Sequence, residues 1–122
     1  MAELLYRSEV TGIGDLVSSF VAEGILVFFG ESAPEELHEF CIMHKVEHQS
    51  GVLNVGDVIQ IDEYHLEVLA LGSVANENLM NLGHMNIKAD GNLIAEMPGD
   101  VCVAIGELPP VAVGSKIQII RK

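Results

Sequence analysis

Basic residues are scarce in this chain. Six Lys and Arg stand against 18 Asp and Glu in 122 residues, a formal net charge of −12. Contacts to phosphate backbones need clustered Lys and Arg, so nucleic-acid binding is excluded. Attraction to an anionic membrane surface is excluded on the same ground, whereas a basic partner face would be steered toward the chain. Trp is absent, with only two Tyr and four Phe. The two cysteines, Cys41 and Cys102, are far apart and form no Cys-x-x-Cys pair, which excludes a zinc knuckle or a thioredoxin-type motif. Each sits among apolar residues, in Phe40-Cys41-Ile42 and Val101-Cys102-Val103, and reads as core. The longest apolar run, between Gly24 and Gly30, is too short to span a bilayer. Met1-Ala2-Glu3 lacks the basic start and apolar stretch of a signal peptide, so a cytoplasmic setting is expected. There is no glycine-rich phosphate loop ending in Gly-Lys-Ser/Thr and no nucleophile elbow, leaving ATP-dependent and serine-hydrolase chemistry without support.

Hydrophobic residues make up 49% of the chain, too many for a disordered acidic tail. Val supplies 14 and Ile 11, and 12 Gly punctuate them. β-branched residues suit pleated, half-buried surfaces and glycine suits tight turns, so the expected class is all-β. The length fits one domain over residues 1–122. Strands are predicted at Leu4 to Val10, Gly24 to Gly30, Phe40 to Val46, Val58 to Ile61, Tyr64 to Leu71, His84 to Ala89, Leu93 to Glu96, Val101 to Ile105 and Lys116 to Arg121. Ser32-Ala33-Pro34-Glu35 reads as a capping box opening a short helix to Glu39. Asn76 to Leu82 reads as a second helix stopped by Gly83, and Asp15 to Ala22 fits a short helix or a loop. Strands this short at such spacing imply a sandwich or a closed barrel. Asn54 to Ile61 and Ala112 to Ile119 echo one another, each with a Gly-polar turn ahead of an alternating strand. We read this as a recurrent strand-entry device.

The five histidines are His38, His44, His48, His65 and His84. His44-Lys45-Val46-Glu47-His48 matches the inverted zinc-protease motif, which works only on a helix. That match keeps a small metal-dependent hydrolase using His44, Glu47 and His48 as an alternative. The local sequence favours a strand, in which His44 and His48 would stand about 13 Å apart, too far to share a metal. A single reactive histidine is the other option. A neutral imidazole is nucleophilic near pH 7 and takes a phosphoryl group without metal or nucleotide. Backbone N–H groups, a hydroxyl such as Ser73, or a second histidine could hold the phosphoryl oxygens. A non-catalytic β-barrel binding module remains a third reading.

Phe40-Cys41-Ile42-Met43-His44, the run Gly72-Ser73-Val74-Ala75 with Asn78-Leu79 and Leu82-Gly83-His84, and Met97-Pro98-Gly99 resemble the glucitol/sorbitol-specific enzyme IIA family of the bacterial sugar phosphotransferase system. The resemblance covers nearly the whole chain. It implies a closed β-barrel with one or two short helices and a phosphotransferase without cofactor or metal. It also implies a phosphohistidine intermediate at His44, formed from phospho-HPr and passed to the cysteine of the IIB component. The IIB/IIC permease components are then the acceptor partners, and sugar uptake the outcome. His84 falls in the Leu-Gly-His run and reads as a neighbour of His44, with Ser73 as a phosphoryl-binding candidate. Lys45 should face away from His44 if the stretch is a strand, and His38 and His65 read as surface residues. Glu35, Glu36 and Glu39 are expected to flank the His44 surface. A homo-oligomer is compatible with everything above.

Overall fold

The structure is a computed structural model describing residues 2–122. Eight strands close into one barrel: β1 (Glu3–Ile13), β2 (Ile25–Gly30), β3 (Ile42–Gln49), β4 (Val58–Ile61), β5 (Tyr64–Leu71), β6 (Met85–Lys88), β7 (Asp100–Val103) and β8 (Lys116–Arg121). Their order around the barrel is β1-β3-β2-β6-β7-β5-β4-β8. The pairs β2·β3 and β6·β7 are parallel and the other six antiparallel. Two helices, α1 (Val17–Val21) and α2 (Ala75–Leu82), lie on the connections. Closure removes the unpaired edges that an open sheet of these β-branched strands would present. Val10, Phe28, Ile42, Ile59, Ile61, Val68, Ile87, Val103 and Ile117 point inward and are fully buried. Each such side chain contributes roughly 1.5–3 kcal/mol relative to exposure. Cys41 and Cys102 are buried free thiols, in agreement with their reading as core. Among the described residues no helix is long and apolar enough to cross a membrane.

The strand-entry device occurs three times. Asn54-Val55-Gly56-Asp57, Met97-Pro98-Gly99-Asp100 and Ala112-Val113-Gly114-Ser115 lead into β4, β7 and β8. In each, the fourth residue's N–H donates to the first residue's carbonyl, at 3.1, 3.1 and 2.9 Å. Its side chain in turn accepts from the first residue's N–H, at 2.7, 3.1 and 3.0 Å. Its carbonyl then accepts from a neighbouring chain segment, through Val68, Gly72 and Val10 respectively. Asp57, Asp100 and Ser115 are therefore buried polar groups with a backbone to satisfy. Asp57 also pairs with Arg121 and Asp100 with Lys88, both at 2.9 Å. The two echoing segments end up as neighbours, with Ile59 opposite Ile119.

Several sequence expectations need correction. The segment Leu93 to Glu96 is an irregular loop, not a strand, and Leu93 and Ile94 are 77% and 81% exposed. The barrel is closed by direct β6·β7 pairing, so no edge is free for it. The helix expected from Ala33 to Glu39 is a single 3-10 turn at Glu35–Leu37, and Ser32 forms no cap. Pro34 has an extended ψ of 140°, so the turn starts late, and Phe40 and Cys41 already lead into β3. The strand expected from Phe40 to Val46 runs from Ile42 to Gln49. The ambiguous Asp15 to Ala22 segment contains α1.

Candidate functional site

Strand β1 supplies the floor of the site. Its register shifts against β3 between Arg7 and Ser8, and against β8 between Leu4 and Tyr6. Such bulges re-aim side chains. Around them Tyr6, Ser8 and Val10 alternate inward. Opposite Val10 stands His44 of β3, which also pairs with Gly30 at the end of β2. His44 is the last fully inward residue of its strand: Val46, two positions on, is already 39% exposed. The imidazole thus occupies the layer just under one mouth of the barrel.

The cover over His44 comes from α2. Asn76 ties this helix down, exchanging two 2.7 Å hydrogen bonds with the backbone of Leu53. At the other end Gly83 adopts φ 64°, ψ 18°, the left-handed conformation that stops a helix and that glycine takes without strain. Its N–H returns to the Leu79 carbonyl and that of His84 to the Asn78 carbonyl. This turn aims the Gly83 carbonyl inward. A side chain at Gly83 would press on Gly30 and on Nε2 of His44, so two glycines are what permit the close crossing.

His44 has 0% exposed surface and both ring nitrogens engaged. Nδ1 lies 2.6 Å from Ser8 Oγ, and Nε2 lies 2.7 Å from the Gly83 carbonyl oxygen. A carbonyl only accepts, so Nε2 carries the hydrogen; in the neutral ring Ser8 then donates to Nδ1. Phe28 meets the ring edge-on at a centroid distance of 5.5 Å, and Tyr6 lies tilted at 6.2 Å. Burial pushes the His44 pKa below the usual histidine value, against a smaller opposing effect of the Gly83 hydrogen bond. Burial likewise raises the Tyr6 pKa, and the Tyr6 hydroxyl has no hydrogen-bond partner among the described residues. The site therefore holds a neutral imidazole fixed at both ends.

The other sequence-predicted residues are placed as follows. His84 follows Gly83 directly but shares no hydrogen bond with His44; its ring stacks on Phe29 at 4.8 Å and 19°. It is half-buried, and burial lowers its pKa. Ser73 is exposed ahead of α2, at the opposite end from Gly83 of a helix that rises about 12 Å. The structure does not bring it to His44. Lys45 is exposed on the outward face of β3. His48 is exposed and bonded to Ser50, His65 is exposed, and His38 is partly buried with its Nε2 donating to the Ala33 carbonyl. Glu35, Glu36 and Glu39 are exposed on the β2–β3 connection.

The zinc-protease match lies on a strand, with His44 buried, His48 exposed and Glu47 held by Lys116 at 3.0 Å. Among the described residues no three His, Cys, Asp or Glu gather as a metal site. A groove of about 800 Å³ runs past Ile13, Val17, Leu26, Tyr64, Leu108 and Pro110 and includes no member of the His44 cluster. Sequence reasoning missed Ser8 altogether. Only its place two residues after Tyr6 and two before Val10, in one inward row, could have drawn notice.

The comparisons with known proteins agree with one another. The family model for the PTS system glucitol/sorbitol-specific IIA component matches residues 5–118. The PTS system glucitol/sorbitol-specific EIIA components of Shigella flexneri and Escherichia coli are each 35% identical over 116 residues, covering 94% of this chain and 94% of theirs. In fold, a PTS system IIA component from Enterococcus faecalis superposes with a TM-score of 0.81 at 24% identity, covering 91% of this chain and 96% of that one. The chain belongs to the glucitol/sorbitol-specific IIA component family of the phosphotransferase system.

Proposed function

We propose that this protein carries a phosphoryl group on Nε2 of His44. The group comes from the phosphohistidine of HPr and goes on to the cysteine of the IIB component, in the cytoplasm, to drive glucitol/sorbitol uptake and phosphorylation. The observation that carries this reading is the imidazole itself. His44 is held neutral by burial, locked at Nδ1 by Ser8, and covered at Nε2 by one backbone carbonyl. In the forward step the Nε2 lone pair forms the new N–P bond. The donor imidazole keeps the electron pair of the N–P bond that breaks.

The arrangement seen here is then the closed, resting form. A carbonyl oxygen at 2.7 Å occupies the space the phosphorus needs, and its partial negative charge would repel phosphoryl oxygens. Opening requires the Gly83–His84 peptide to swing away from Nε2. Glycine at position 83 permits that rotation sterically, and its cost is the 3.2 Å hydrogen bond from the His84 N–H to the Asn78 carbonyl. Turning the same peptide over moves its carbonyl outward and brings the His84 N–H toward the phosphoryl group, replacing an acceptor with a donor.

Incubation with phosphoenolpyruvate, enzyme I and HPr tests the proposal. Wild-type protein should gain one acid-labile, base-stable phosphoryl group, and His44→Ala should gain none. Label that survives His44→Ala and disappears in His84→Ala would move the acceptor to the half-buried neighbour. Protein that never takes label would leave a β-barrel binding module as the better description.

A further inference from the structure

Five polar residues are buried among the described residues: Ser8, His44, Asp57, Asp100 and Ser115. The last three are accounted for, because each satisfies a backbone N–H at a strand entry. Ser8 does nothing of this kind. Among the described residues the one hydrogen bond of its side chain is the 2.6 Å contact with Nδ1 of His44. A buried hydroxyl without structural duty, aimed at the second nitrogen of a reactive imidazole, calls for an explanation on the side of the chemistry.

The proton positions supply one. At rest Nε2 carries the hydrogen and Ser8 donates to Nδ1. Attack by Nε2 demands the other tautomer, with the hydrogen on Nδ1 and the lone pair on Nε2. A hydroxyl can serve both states without moving its oxygen, since it donates in one and accepts in the other by rotating about its C–O bond. A methyl group can serve neither, a carbonyl only the second.

We propose that Ser8 is a positioning residue for phosphoryl transfer, whose hydroxyl reverses from donor to acceptor on Nδ1 and so holds His44 with its Nε2 lone pair free. This rests on the reading of His44 as acceptor. When the Gly83 carbonyl leaves and water reaches the ring, Nδ1 takes a proton from water and Nε2 gives its own back to water, so ring and solvent each end with the protons they began with. As the N–P bond forms at Nε2, positive charge develops on the ring. Ser8 Oγ then accepts a charge-assisted hydrogen bond from Nδ1–H. The oxygen also fixes the ring plane, so that Nε2 points out of the barrel mouth rather than into the core.

The test compares Ser8→Ala, Ser8→Cys and Ser8→Thr in the full chain. Ser8→Ala should accept phosphoryl from HPr about 10- to 100-fold more slowly, the loss expected for one hydrogen bond to a charged group. Ser8→Thr keeps the hydroxyl and should restore the rate to within about threefold. Ser8→Cys keeps the size with a weak donor and should resemble Ser8→Ala, which carries the test if the alanine variant does not fold. Nitrogen-15 spectra of labelled histidine give a readout that a packing role would not move. Wild-type, Ser8→Thr and Ser8→Ala should all keep the proton on Nε2, where the Gly83 carbonyl holds it, but only Ser8→Ala should show Nδ1 at the resonance of a nitrogen that accepts no hydrogen bond. Label on His44 at an undiminished rate in Ser8→Ala overturns the role of Ser8 alone. Label on a different residue of the wild-type protein overturns the reading of His44, and this one with it.

Discussion

Nε2 of His44 donates to the carbonyl of Gly83 across 2.7 Å, and Gly83 is also the residue whose left-handed φ of 64° ends α2. One residue therefore stops the helix and covers the imidazole. A Cβ added there would stand 3.0 Å from the Gly30 nitrogen and 3.3 Å from Nε2 of His44. Gly83→Ala should cost about 1–2 kcal/mol from the left-handed backbone alone. On the proposed function it should also slow phosphoryl uptake, because the methyl group crowds Nε2 of His44. Thermal melting and the labelling rate measure the two effects separately. A variant that melts lower yet takes label at the wild-type rate would show that the cover swings clear of His44 entirely.

His44 should give the fold a pH-dependence of known sign. Burial lowers its pKa from the ordinary 6.5, so below that value the unfolded chain binds a proton that the folded chain resists. The stabilisation is full above pH 6.5 and is lost as pH falls through the folded value. His84 is lowered by burial too and adds in the same direction. The net charge of −12 works the other way, since acid relieves self-repulsion. Comparison of wild type with His44→Gln isolates the histidine. Urea unfolding from pH 5 to 8 should show wild type losing stability toward acid more steeply than the variant. Parallel curves would mean that His44 is as free to protonate folded as unfolded.

The unpartnered hydroxyl of Tyr6 predicts an unusual substitution. Its burial leaves the O–H desolvated with no hydrogen bond to offset the loss. Tyr6→Phe should therefore keep the packing against His44 and leave stability unchanged or raise it by up to about 1 kcal/mol. A clear fall in melting temperature would reveal a partner for that hydroxyl.

How far the sequence could be read depended on how local each signal was. The strands around Val58–Ile61 and Tyr64–Leu71 were legible because alternation and a short turn lie within a few residues. Gly83 was legible as a helix stop for the same reason. Leu93-Ile94 misled, since an apolar pair looks the same whether it has a strand partner or an exposed loop to sit on. The Ser32 capping box misled because Pro34 and the nearby start of β3 left no room for a full turn. At the site, His44 came from family resemblance, not from periodicity. Ser8 was invisible because its partner is 36 residues away, brought close by β1·β3 pairing and a register shift that no local pattern encodes. The loss of Ser73 as a neighbour follows from helix length: Ser73 and His84 belong to one run of sequence, but α2 holds its ends apart.

The strand-entry aspartates should matter to stability rather than to transfer. Asp57 is buried, receives the Asn54 N–H at 2.7 Å and is gripped by both Nε and Nη2 of Arg121. Asp100 does the same for Met97 and is held by Lys88 and Asn86. Replacing either by Ala leaves a backbone N–H without its acceptor and should cost about 1–3 kcal/mol. Asp57→Ala should melt lower yet take label at the wild-type rate, since none of these contacts reaches His44. A variant that melts as wild type would mean that water replaces the carboxylate at no cost.

The acidic balance gives the last prediction, on the encounter itself. Six basic residues cannot neutralise 18 acidic ones, and several of the basic residues are already paired. Lys116 contacts Glu9 and Glu47, Arg121 holds Asp57, and Lys88 holds Asp100. Glu35, Glu36 and Glu39 stand exposed on the connection that leads into β3, the strand of His44. A field of this sign draws a basic partner face by long-range attraction, and salt screens it over a Debye length of about 10 Å at 0.1 M. Transfer from HPr should therefore slow as ionic strength rises. The change should fall on the second-order rate constant and spare the maximal rate at saturating HPr. Replacing Glu35, Glu36 and Glu39 together by Gln should flatten the salt-dependence. If transfer is indifferent to salt, or the triple variant keeps the full slope, the acidic β2–β3 connection is not the face that meets the donor.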